Sequence, residues 1–476
     1  MSGFQFSAKI FFLIMSISFG TLFVFLTPPI QVPDENIHFY RAYQLTDFDF
    51  LQVKQTIPAS LEMLTKMSMD MFSFKNTQVD FSKLMQIQLK PEQTFKTWTF
   101  WYIIPYLPQS AGILIGRLLG APPLVLLYLG RLFNLFFAIF LIYQAIRLIP
   151  LQKWTMVLLG LMPMSITQLA SNSYDAMAIG LAFLSIAYFL HLKFASSAII
   201  TKKEFGNIFI LCVLLGLCKP VYCCLGILFL VLPVNKIGSV KTYYKILVSL
   251  IIAMIIAPFS YSLLRNIVAD DVPYEKVPWN NANLQLQFIL HNFAAFLKTL
   301  FETCFIHLRT FYLDSFVGIL GWLSCPLPKL LINSYLTILL ISAVLDYKRK
   351  FKFNFKDKLI AFAIFTASVV AIELAIYLTW TSLGSGLVEG VQGRYFIPFS
   401  PLLFLVFFNN SLSKFFQRIL TIVLNYTKYR NFSGIQFSRL TLKNRSIYAS
   451  LAQVFIMLFV SGSLIITALT IYSKYY

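Results

Sequence analysis

The stretch LIAFAIFTASVVAIELAIYLTW, residues 359–380, is 22 residues long and carries a single charged side chain, Glu373. An apolar run of this length is long enough to cross the ~30 Å hydrocarbon core of a bilayer as an α-helix. Similar runs recur along the chain, in which 58% of the 476 residues are hydrophobic and 12% are charged. Continuous apolar runs are typical of helices, whose backbone polar groups are satisfied within the segment. The sequence therefore predicts an all-α, polytopic membrane protein forming one transmembrane domain over residues 1–476.

Eleven membrane spans are predicted, within a range of 10 to 13. Two further apolar stretches, 101–119 and 288–322, are broken by Pro or Gly or carry scattered charges, and are predicted as interfacial or re-entrant helices on the outer side. The spans are 10–27, 124–146, 154–170, 176–194, 205–218, 221–234, 246–264, 329–346, 359–380, 395–412 and 448–471.

The distribution of basic residues orients these spans. With eleven spans, 22 of the 39 Lys and Arg residues, but only three acidic residues, fall in segments on the side of the N-terminus. Cytoplasmic loops are enriched in Lys and Arg, so the N-terminus is predicted to be cytoplasmic. The topology then includes a large first extracytoplasmic loop at 28–100, a second extracytoplasmic segment at 265–328 and a basic cytoplasmic loop at 413–447. The formal net charge of +20 is attributed to this topology, and no nucleic-acid partner is expected.

A polar motif follows the first span. If a helix begins after Pro33, then Asp34, His38 and Arg41 stand on one helix face at i, i+4 and i+7. A carboxylate there could take a proton from a hydroxyl group, while His38 and Arg41 neutralise phosphate or orient the carboxylate. The alternative is that Asp34 only caps the helix, because Asp is favoured at helix N-termini.

Three more polar groups are predicted on the same outer side. Gln109 follows prolines that interrupt an apolar segment, where the alternative is a simple bend. Asp175 opens the span after the SNSY turn, where the alternative is helix capping. Lys219 precedes a proline between two apolar runs and is expected to bind phosphate or to snorkel. Glu373, in the outer half of its span, is expected to be paired or protonated in the bundle interior.

The stretch VEGVQGRYFIP, residues 388–398, supplies the last group. Gly390 and Gly393 are expected to let the backbone approach a ligand, and Arg394 offers a fork suited to phosphate, with Gln392 beside it. The alternative is an interfacial anchor made of Arg394 and Tyr395.

Taken together, these motifs resemble a bacterial family of predicted membrane proteins of unassigned function, over residues 28 to 402. That family is similar in turn to the GT-C superfamily of polyprenyl-phosphate-sugar-dependent glycosyltransferases. The residues that carry the resemblance are Pro33-Asp34-Glu35, His38, Arg41-Ala42-Tyr43, Tyr106-Leu107-Pro108-Gln109, Gly130-Arg131-Leu132 with Asn134, Lys219-Pro220, Gly321-Trp322 with Pro326-Leu327-Pro328, and Gln392-Gly393-Arg394-Tyr395-Phe396.

The resemblance implies a GT-C-like fold in a bacterial inner membrane and transfer of a sugar from a polyprenyl-phosphate donor to a cell-envelope glycan or lipid acceptor. It places the general base or metal ligand on Asp34, with Glu35 as its competitor, and the donor phosphate on Arg41, Lys219 or Arg394. The adjacent acids replace the frequent DxD spacing, so a divalent metal stays an open alternative and no other cofactor is expected. Two competing functions remain: a transporter or flippase of a lipid-linked envelope precursor, and a non-catalytic scaffold.

Overall fold

The computed structural model describes residues 7–48, 50, 56–73, 80–97, 102–195, 199–268, 279–345, 351–412, 414–415 and 437–476. These residues are mostly helical, with two short antiparallel strand pairs, β1–β2 and β3–β4, of which the second is a hairpin. The strands are β1 (Thr56–Pro58), β2 (Thr94–Lys96), β3 (Ile319–Leu320) and β4 (Cys325–Pro326). The helices are α1 (Ala8–Leu26), α2 (Glu35–Leu45), α3 (Ala59–Ser73), α4 (Phe81–Met85), α5 (Leu107–Leu118), α6 (Pro123–Leu148), α7 (Lys153–Gly160), α8 (Pro163–Leu169), α9 (Asp175–Phe194), α10 (Lys202–Cys218), α11 (Val240–Val268), α12 (Ala282–His291), α13 (Phe293–His307), α14 (Ser315–Val317), α15 (Lys329–Leu345), α16 (Phe355–Thr379), α17 (Ser400–Phe407) and α18 (Phe437–Tyr475).

Five described helices are long and apolar enough to cross a membrane, namely α1, α6, α9, α16 and the Leu451–Tyr475 part of α18. Each coincides with a predicted span. A sixth candidate is the pair formed by Ala282–His291 and Phe293–Val317, which bends by 106° at its break. The break lies inside the stretch 288–322, which the sequence predicts as an interfacial or re-entrant helix.

Other predicted spans differ in their local structure. The predicted span 154–170 is two helices, α7 and α8, with the break just before Pro163, whose ring lacks an N–H donor. The predicted spans 221–234 and 395–412 begin as 3₁₀-helices at Pro220–Val231 and Gly393–Phe399. A 3₁₀-helix rises about 2.0 Å per residue, so twelve residues reach about as far as sixteen in an α-helix.

The first predicted loop has a core of its own, although its sequence shows no strong core pattern. Side chains of α2, α3 and α4 form a buried apolar cluster with α5 and the start of α6. The antiparallel pair β1–β2 joins the two ends of this segment, with Thr56 paired to Lys96 and Pro58 to Thr94. The loop is therefore packed onto the helical bundle. Residues 49, 51–55, 74–79 and 98–100 of this loop, 269–278 of the second segment and 416–436 of the basic loop lie outside the described residues.

Polar contacts join segments that the sequence predicts to share one side of the membrane. Lys193 at the end of α9 pairs with Asp357 at the start of α16, with Nζ and Oδ1 2.7 Å apart. Lys236 donates to the carbonyls of Leu192 and Ala195 at 2.7 and 2.8 Å. The start of α9, the end of α1 and the end of α10 consequently meet at the opposite end of the bundle.

A fully buried ion pair holds that opposite end together. Arg131 of α6 binds both oxygens of Glu35, with Nε–Oε1 and Nη2–Oε2 distances of 2.7 and 2.6 Å, and both side chains have 0% exposure. The same guanidinium donates to the carbonyls of Val24, Thr27 and Pro28, at the end of α1. Arg131 therefore fixes α1, α2 and α6 relative to one another.

We expect Glu35→Ala to destabilise the fold severely. It leaves the buried guanidinium of Arg131 without its counter-charge, which typically costs about 3–5 kcal/mol. The measurement is the fraction of protein that elutes as a single folded species after detergent extraction. The matched control is Glu302→Ala, which breaks the exposed pair with Lys298 and is expected to have little effect. Equal behaviour of the two variants would contradict the structural role of Glu35.

Candidate functional site

The turn between α1 and α2 has an unusual backbone. Ile30 and Asp34 adopt left-handed conformations, with φ of 63° and 62°. Such a φ is unfavourable for a β-branched residue and is better tolerated by Asp. Ile30 is held in place because its N–H donates to Glu35 Oε2 at 3.0 Å and its carbonyl accepts from Trp322 Nε1 at 3.0 Å. The turn is therefore held in one conformation, which sets the direction of Asp34.

Asp34 does not cap α2. Within the described residues its carboxylate makes no bond to the start of that helix. Instead, Oδ2 accepts from Nη2 of Arg394 at 3.3 Å, across 360 residues of sequence. The Asp34 side chain is 41% exposed, whereas that of Arg394 is 4% exposed. The capping alternative for the Asp34 side chain is therefore wrong, and its carboxylate is accessible.

Arg394 is positioned by the preceding glycine. The Gly393 N–H donates to Ser315 Oγ at 2.6 Å, and a Cβ at Gly393 would lie 2.1 Å from the Tyr312 carbonyl oxygen. Gly390 has a φ of 89° and packs against Trp380. The expectation that these glycines admit a ligand is therefore corrected: both let the chain pack closely against itself. That packing buries Arg394 beneath the turn that carries Asp34.

Lys219 lies in a cage of tyrosines. Its Nζ donates to the Tyr174 hydroxyl at 2.9 Å and lies 4.9, 5.7 and 4.8 Å from the ring centres of Tyr174, Tyr222 and Tyr395. Ammonium groups are attracted to the faces of aromatic rings at such distances. The structure therefore holds the Lys219 ammonium group among these rings. It does not favour the alternative that the side chain snorkels to the membrane surface. Tyr395 contacts both cations, because its ring centre is also 5.1 Å from Arg394 Cζ.

His38 belongs to the same cluster but does not act as a cation. Its Nδ1 lies 2.7 Å from the Tyr106 hydroxyl, and its ring meets the edge of Tyr174 with centres 4.7 Å apart. Burial, together with the positive charges of Arg394 and Lys219, holds the pKa of His38 well below its usual value. The expectation that His38 neutralises phosphate is therefore wrong for a ring that stays neutral. It can still orient neighbouring groups by hydrogen bonding.

Asp175 is the first residue of α9 and is 3% exposed. Its Oδ1 is buried and has no hydrogen-bond partner among the described residues. Its charge acts on both Lys219 and Arg394. The carboxylate therefore lies within electrostatic range of the two cations of the site.

Three predicted site residues have structural positions instead. Glu35 accepts two bonds from Arg131 and one each from the Ile30 and Asn172 N–H groups, so its oxygens are occupied. Arg41 is fully buried and donates to the carbonyls of Tyr102 and Phe50. Gln109 donates to the carbonyls of Asn172 and Ser173, 3.4 Å away in each case. These contacts correct the expectation that Glu35 is catalytic and that Arg41 and Gln109 bind substrate.

Gln392 lies beside a cavity that Arg394 also lines. The cavity is bounded by Thr27, Val32, Pro33, α8, the β3–β4 hairpin and the end of α18. Gln392 therefore lies near the cluster, as predicted, and lines this cavity together with Arg394.

Glu373 is fully buried and accepts from Tyr312 Oη at 2.5 Å and from Cys304 Sγ at 3.3 Å, as expected for a carboxylate inside a bundle.

Three tyrosines of the site were not among the site residues predicted from the sequence. Tyr222 stands in no motif, Tyr174 only adjoins the predicted Asp175, and Tyr106 stands in the motif of Gln109 but was not itself a candidate. Arg131 did carry a signal, since an arginine inside an apolar run needs a partner. That partner is Glu35, which only the structure identifies.

The carboxylates do not fit a divalent metal. Glu35 directs its oxygens to Arg131 and two backbone N–H groups, while Asp34 faces Arg394, so the two do not converge. Within the described residues, no three His, Cys, Asp or Glu side chains are grouped so that they could hold a metal ion.

The family described as "Predicted membrane protein (DUF2142)" matches residues 17–403. The chain belongs to this family. The matched region contains every predicted site residue of this DUF2142 member and ends before α18. No curated protein and no solved structure matches the chain.

The lowered pKa of His38 predicts a pH-dependent stability. Below pH 6.5 the unfolded chain binds a proton at this residue and the folded chain does not, so stability falls as pH falls, by up to about 1.4 kcal/mol per pH unit. We expect His38→Gln to weaken the dependence of the unfolding midpoint on pH between 6.5 and 5. The measurement is thermal unfolding in detergent at several pH values. Parallel curves for the two proteins would show that His38 takes up its proton in the folded state.

Proposed function

We propose that this protein is a membrane glycosyltransferase that moves a sugar from a polyprenyl-phosphate donor to a cell-envelope acceptor. The observation that carries the proposal is the contact between the accessible carboxylate of Asp34 and the buried guanidinium of Arg394. A base next to a fixed cation suits a reaction in which a hydroxyl loses a proton while a phosphate leaves. The second cation, Lys219, also lies close to the Tyr395 ring, with its Nζ 4.8 Å from the ring centre.

The proposed reaction is a direct displacement. Asp34 takes the proton of the acceptor hydroxyl, whose oxygen forms a bond to the anomeric carbon of the sugar. The bond between that carbon and the phosphate oxygen breaks, and the phosphate leaves with the electron pair. Arg394 and Lys219 stabilise the increasing negative charge, because preorganised donors lower the barrier where charge develops. A single displacement inverts the anomeric centre, and no step requires a metal.

The proposed setting is the bacterial inner membrane, with eleven spans, a GT-C-like fold, a cytoplasmic N-terminus and an extracytoplasmic site. The two ends of the bundle support it. The contacts of Lys193 and Lys236 gather the lysine-rich loop ends at one end, and Asp34, Lys219 and Arg394 lie at the other. Because basic loops favour the cytoplasm, the site is assigned to the outer face.

The transporter alternative requires ionisable groups available along the bundle. Arg131 is neutralised by Glu35, and Glu373 accepts two hydrogen bonds, so the two clearest in-span charges have fixed partners. This arrangement favours the enzyme over the transporter.

We expect Asp34→Asn to lower sugar transfer by about 10²–10⁴-fold, the usual contribution of a general base. Asn also tolerates the left-handed backbone at this position, so the fold should be retained. The measurement is transfer of labelled sugar from undecaprenyl-phosphate hexoses in proteoliposomes. Asp70→Asn, at an exposed carboxylate of α3, is the matched control.

The outcomes separate the hypotheses. Unchanged transfer in Asp34→Asn would remove Asp34 as the base. Absence of transfer by the unaltered protein, together with loss of export of an intact lipid-linked substrate in the variant, would replace the enzyme with a transporter.

We expect Arg394→Gln to lower kcat/KM for the donor by about 10²–10³-fold, as when one preorganised donor to a developing anion is removed. Asp34 keeps 41% of its side-chain surface and can be solvated without its partner, so the fold should be retained. The same transfer assay measures the effect, with Lys66→Ala on the exposed face of α3 as the control. Equal rates for the two variants would exclude Arg394 from donor binding.

A further inference from the structure

One short segment, residues 312–322, contacts the chain beside both partners of the ion pair between Asp34 and Arg394. We call it the bracket segment. It comprises the end of a π-helical turn, α14 and β3, and it reaches the turn of the β3–β4 hairpin. Its residues 319–321 line a small cavity together with Pro33 and Arg394. The bracket segment therefore lies next to the turn that carries Asp34 and next to the loop that carries Arg394.

The first half of the bracket segment holds the backbone beside Arg394. The Gly393 N–H donates to Ser315 Oγ at 2.6 Å. A Cβ at Gly393 would lie 2.1 Å from the Tyr312 carbonyl oxygen, so the two backbones are in direct contact. Tyr312 also meets the ring of Phe396 edge-on, with centres 5.0 Å apart. Because interiors are close-packed, a displacement of Tyr312 is transmitted to the chain at Gly393 and Arg394.

The other end of the bracket segment holds the turn that carries Asp34. Trp322 Nε1 donates to the Ile30 carbonyl at 3.0 Å. Ile30 has a φ of 63°, a left-handed conformation that is unfavourable for a β-branched residue. Such strained backbones persist only where the surrounding structure holds them. Loss of the Trp322 bond is therefore expected to let the turn relax and to change the direction of the Asp34 carboxylate.

Glu373 of α16 anchors the bracket segment in the helical bundle. Tyr312 Oη donates to Glu373 Oε1 at 2.5 Å, and Cys304 Sγ of α13 donates to the same oxygen at 3.3 Å. Tyr312 belongs to the turn Leu308–Asp314, which has the wide π-helical form. Such turns occur frequently at functional sites. The carboxylate of Glu373 thus fixes the point at which Tyr312 contacts Gly393.

We propose that the bracket segment sets the distance between Asp34 and Arg394, with Tyr312 and Trp322 as positioning residues and Glu373 as the anchor of Tyr312. Each of the three acts through the backbone next to a site residue and not on the substrate. Their effect on catalysis rests on the proposed function. Their effect on the geometry of the ion pair does not.

The first test measures amide hydrogen exchange in the full-length protein in nanodiscs. Tyr312→Phe loses the bond to Glu373 and should speed exchange of the Gly393 amide by about tenfold, the change expected when a hydrogen bond is lost. Trp322→Phe should have a similar effect on residues 30–35. Ser315→Ala is a second, milder variant, which removes the acceptor of the Gly393 N–H and should speed exchange at the same amide.

Two control variants lose the same kind of bond elsewhere. Trp279→Phe removes an indole N–H that donates to the Trp380 carbonyl at 2.9 Å, and Trp279 is 49% exposed against 42% for Trp322. It should leave exchange at residues 30–35 unchanged. Tyr335→Phe removes a buried hydroxyl that donates to the Leu158 carbonyl at 2.7 Å, and it should leave exchange at residue 393 unchanged.

The proposal is overturned if each control speeds exchange as much as its matched variant. It is also overturned if Tyr312→Phe and Ser315→Ala both leave the Gly393 amide unchanged, or if Trp322→Phe leaves residues 30–35 unchanged.

The second test compares two substitutions of the anchor in the sugar-transfer assay, with rates expressed per folded molecule. Glu373→Gln keeps an oxygen that accepts from Tyr312 and should transfer sugar nearly as fast as the unaltered protein. Glu373→Leu removes the acceptor and should lower kcat/KM for the donor by up to about 10²-fold, because a misplacement of about 1 Å can cost this much. A role confined to holding the fold would lower the yield of folded protein and leave this rate unchanged. Equal rates for the two variants would exclude Glu373 as the anchor.

Trp322→Phe should lower kcat while KM for the donor is unchanged, because Asp34 acts on the acceptor hydroxyl and only in the transition state. Equal losses in kcat and in donor affinity would contradict a role that acts through Asp34.

Failure of the proposed function remains distinguishable, because hydrogen exchange does not depend on sugar transfer. If the exchange changes occur but the unaltered protein transfers no sugar, the catalytic proposal fails and the positioning of the ion pair stands. If Asp34→Asn abolishes transfer while the bracket variants leave exchange and transfer unchanged, the reverse holds.

Discussion

The buried pair of Glu35 and Arg131 is the interaction on which the rest of this structure depends. Two charges with no solvent exposure are costly to desolvate, and they are tolerated only when every lone pair and donor finds a partner. Here Arg131 also binds three carbonyls at the end of α1, and Glu35 also accepts the N–H groups of Ile30 and Asn172. The pair therefore fixes the end of α1, the start of α2, the middle of α6 and the turn before α9 at one point. The polar cluster lies on this framework.

The framework separates the roles of two adjacent acids. Asp34 and Glu35 are neighbours in sequence, and the left-handed backbone at Asp34 sends its carboxylate toward Arg394 while Glu35 points into the bundle. Arg394 lies near the C-terminal end of the region that the family matches. It reaches the cluster because Gly393, which has no Cβ, lets the backbone pack against residues 312–316. Strain at Asp34, burial of Arg394 and the tyrosine cage around Lys219 are three consequences of the same packing. Together they hold an accessible carboxylate against the buried Arg394 guanidinium, with Lys219 on the neighbouring Tyr395 ring, which is the arrangement that the proposed transfer needs.

Much of the site could be found from sequence because its members stand where apolar runs end. Asp34, His38, Asp175, Lys219 and Arg394 were all candidates, and the structure brings them into one cluster with Tyr174 and Tyr395. The direction of each side chain could not be found in this way. Arg41 and Gln109 have the same residue types as phosphate or sugar ligands, yet they bind backbone carbonyls. His38 appeared as a cation until its burial beside two real cations was known.

The sequence by itself determined that the chain is helical and embedded in a membrane, because apolar length and charge content are properties of composition and order along the chain. It also predicts which segment ends share a side, since basic residues are enriched in cytoplasmic loops. Only the tertiary structure decided which charges neutralise one another and which stay available. That decision depends on distances between residues up to 360 positions apart and on the exposure of each group, and neither quantity is encoded in local sequence.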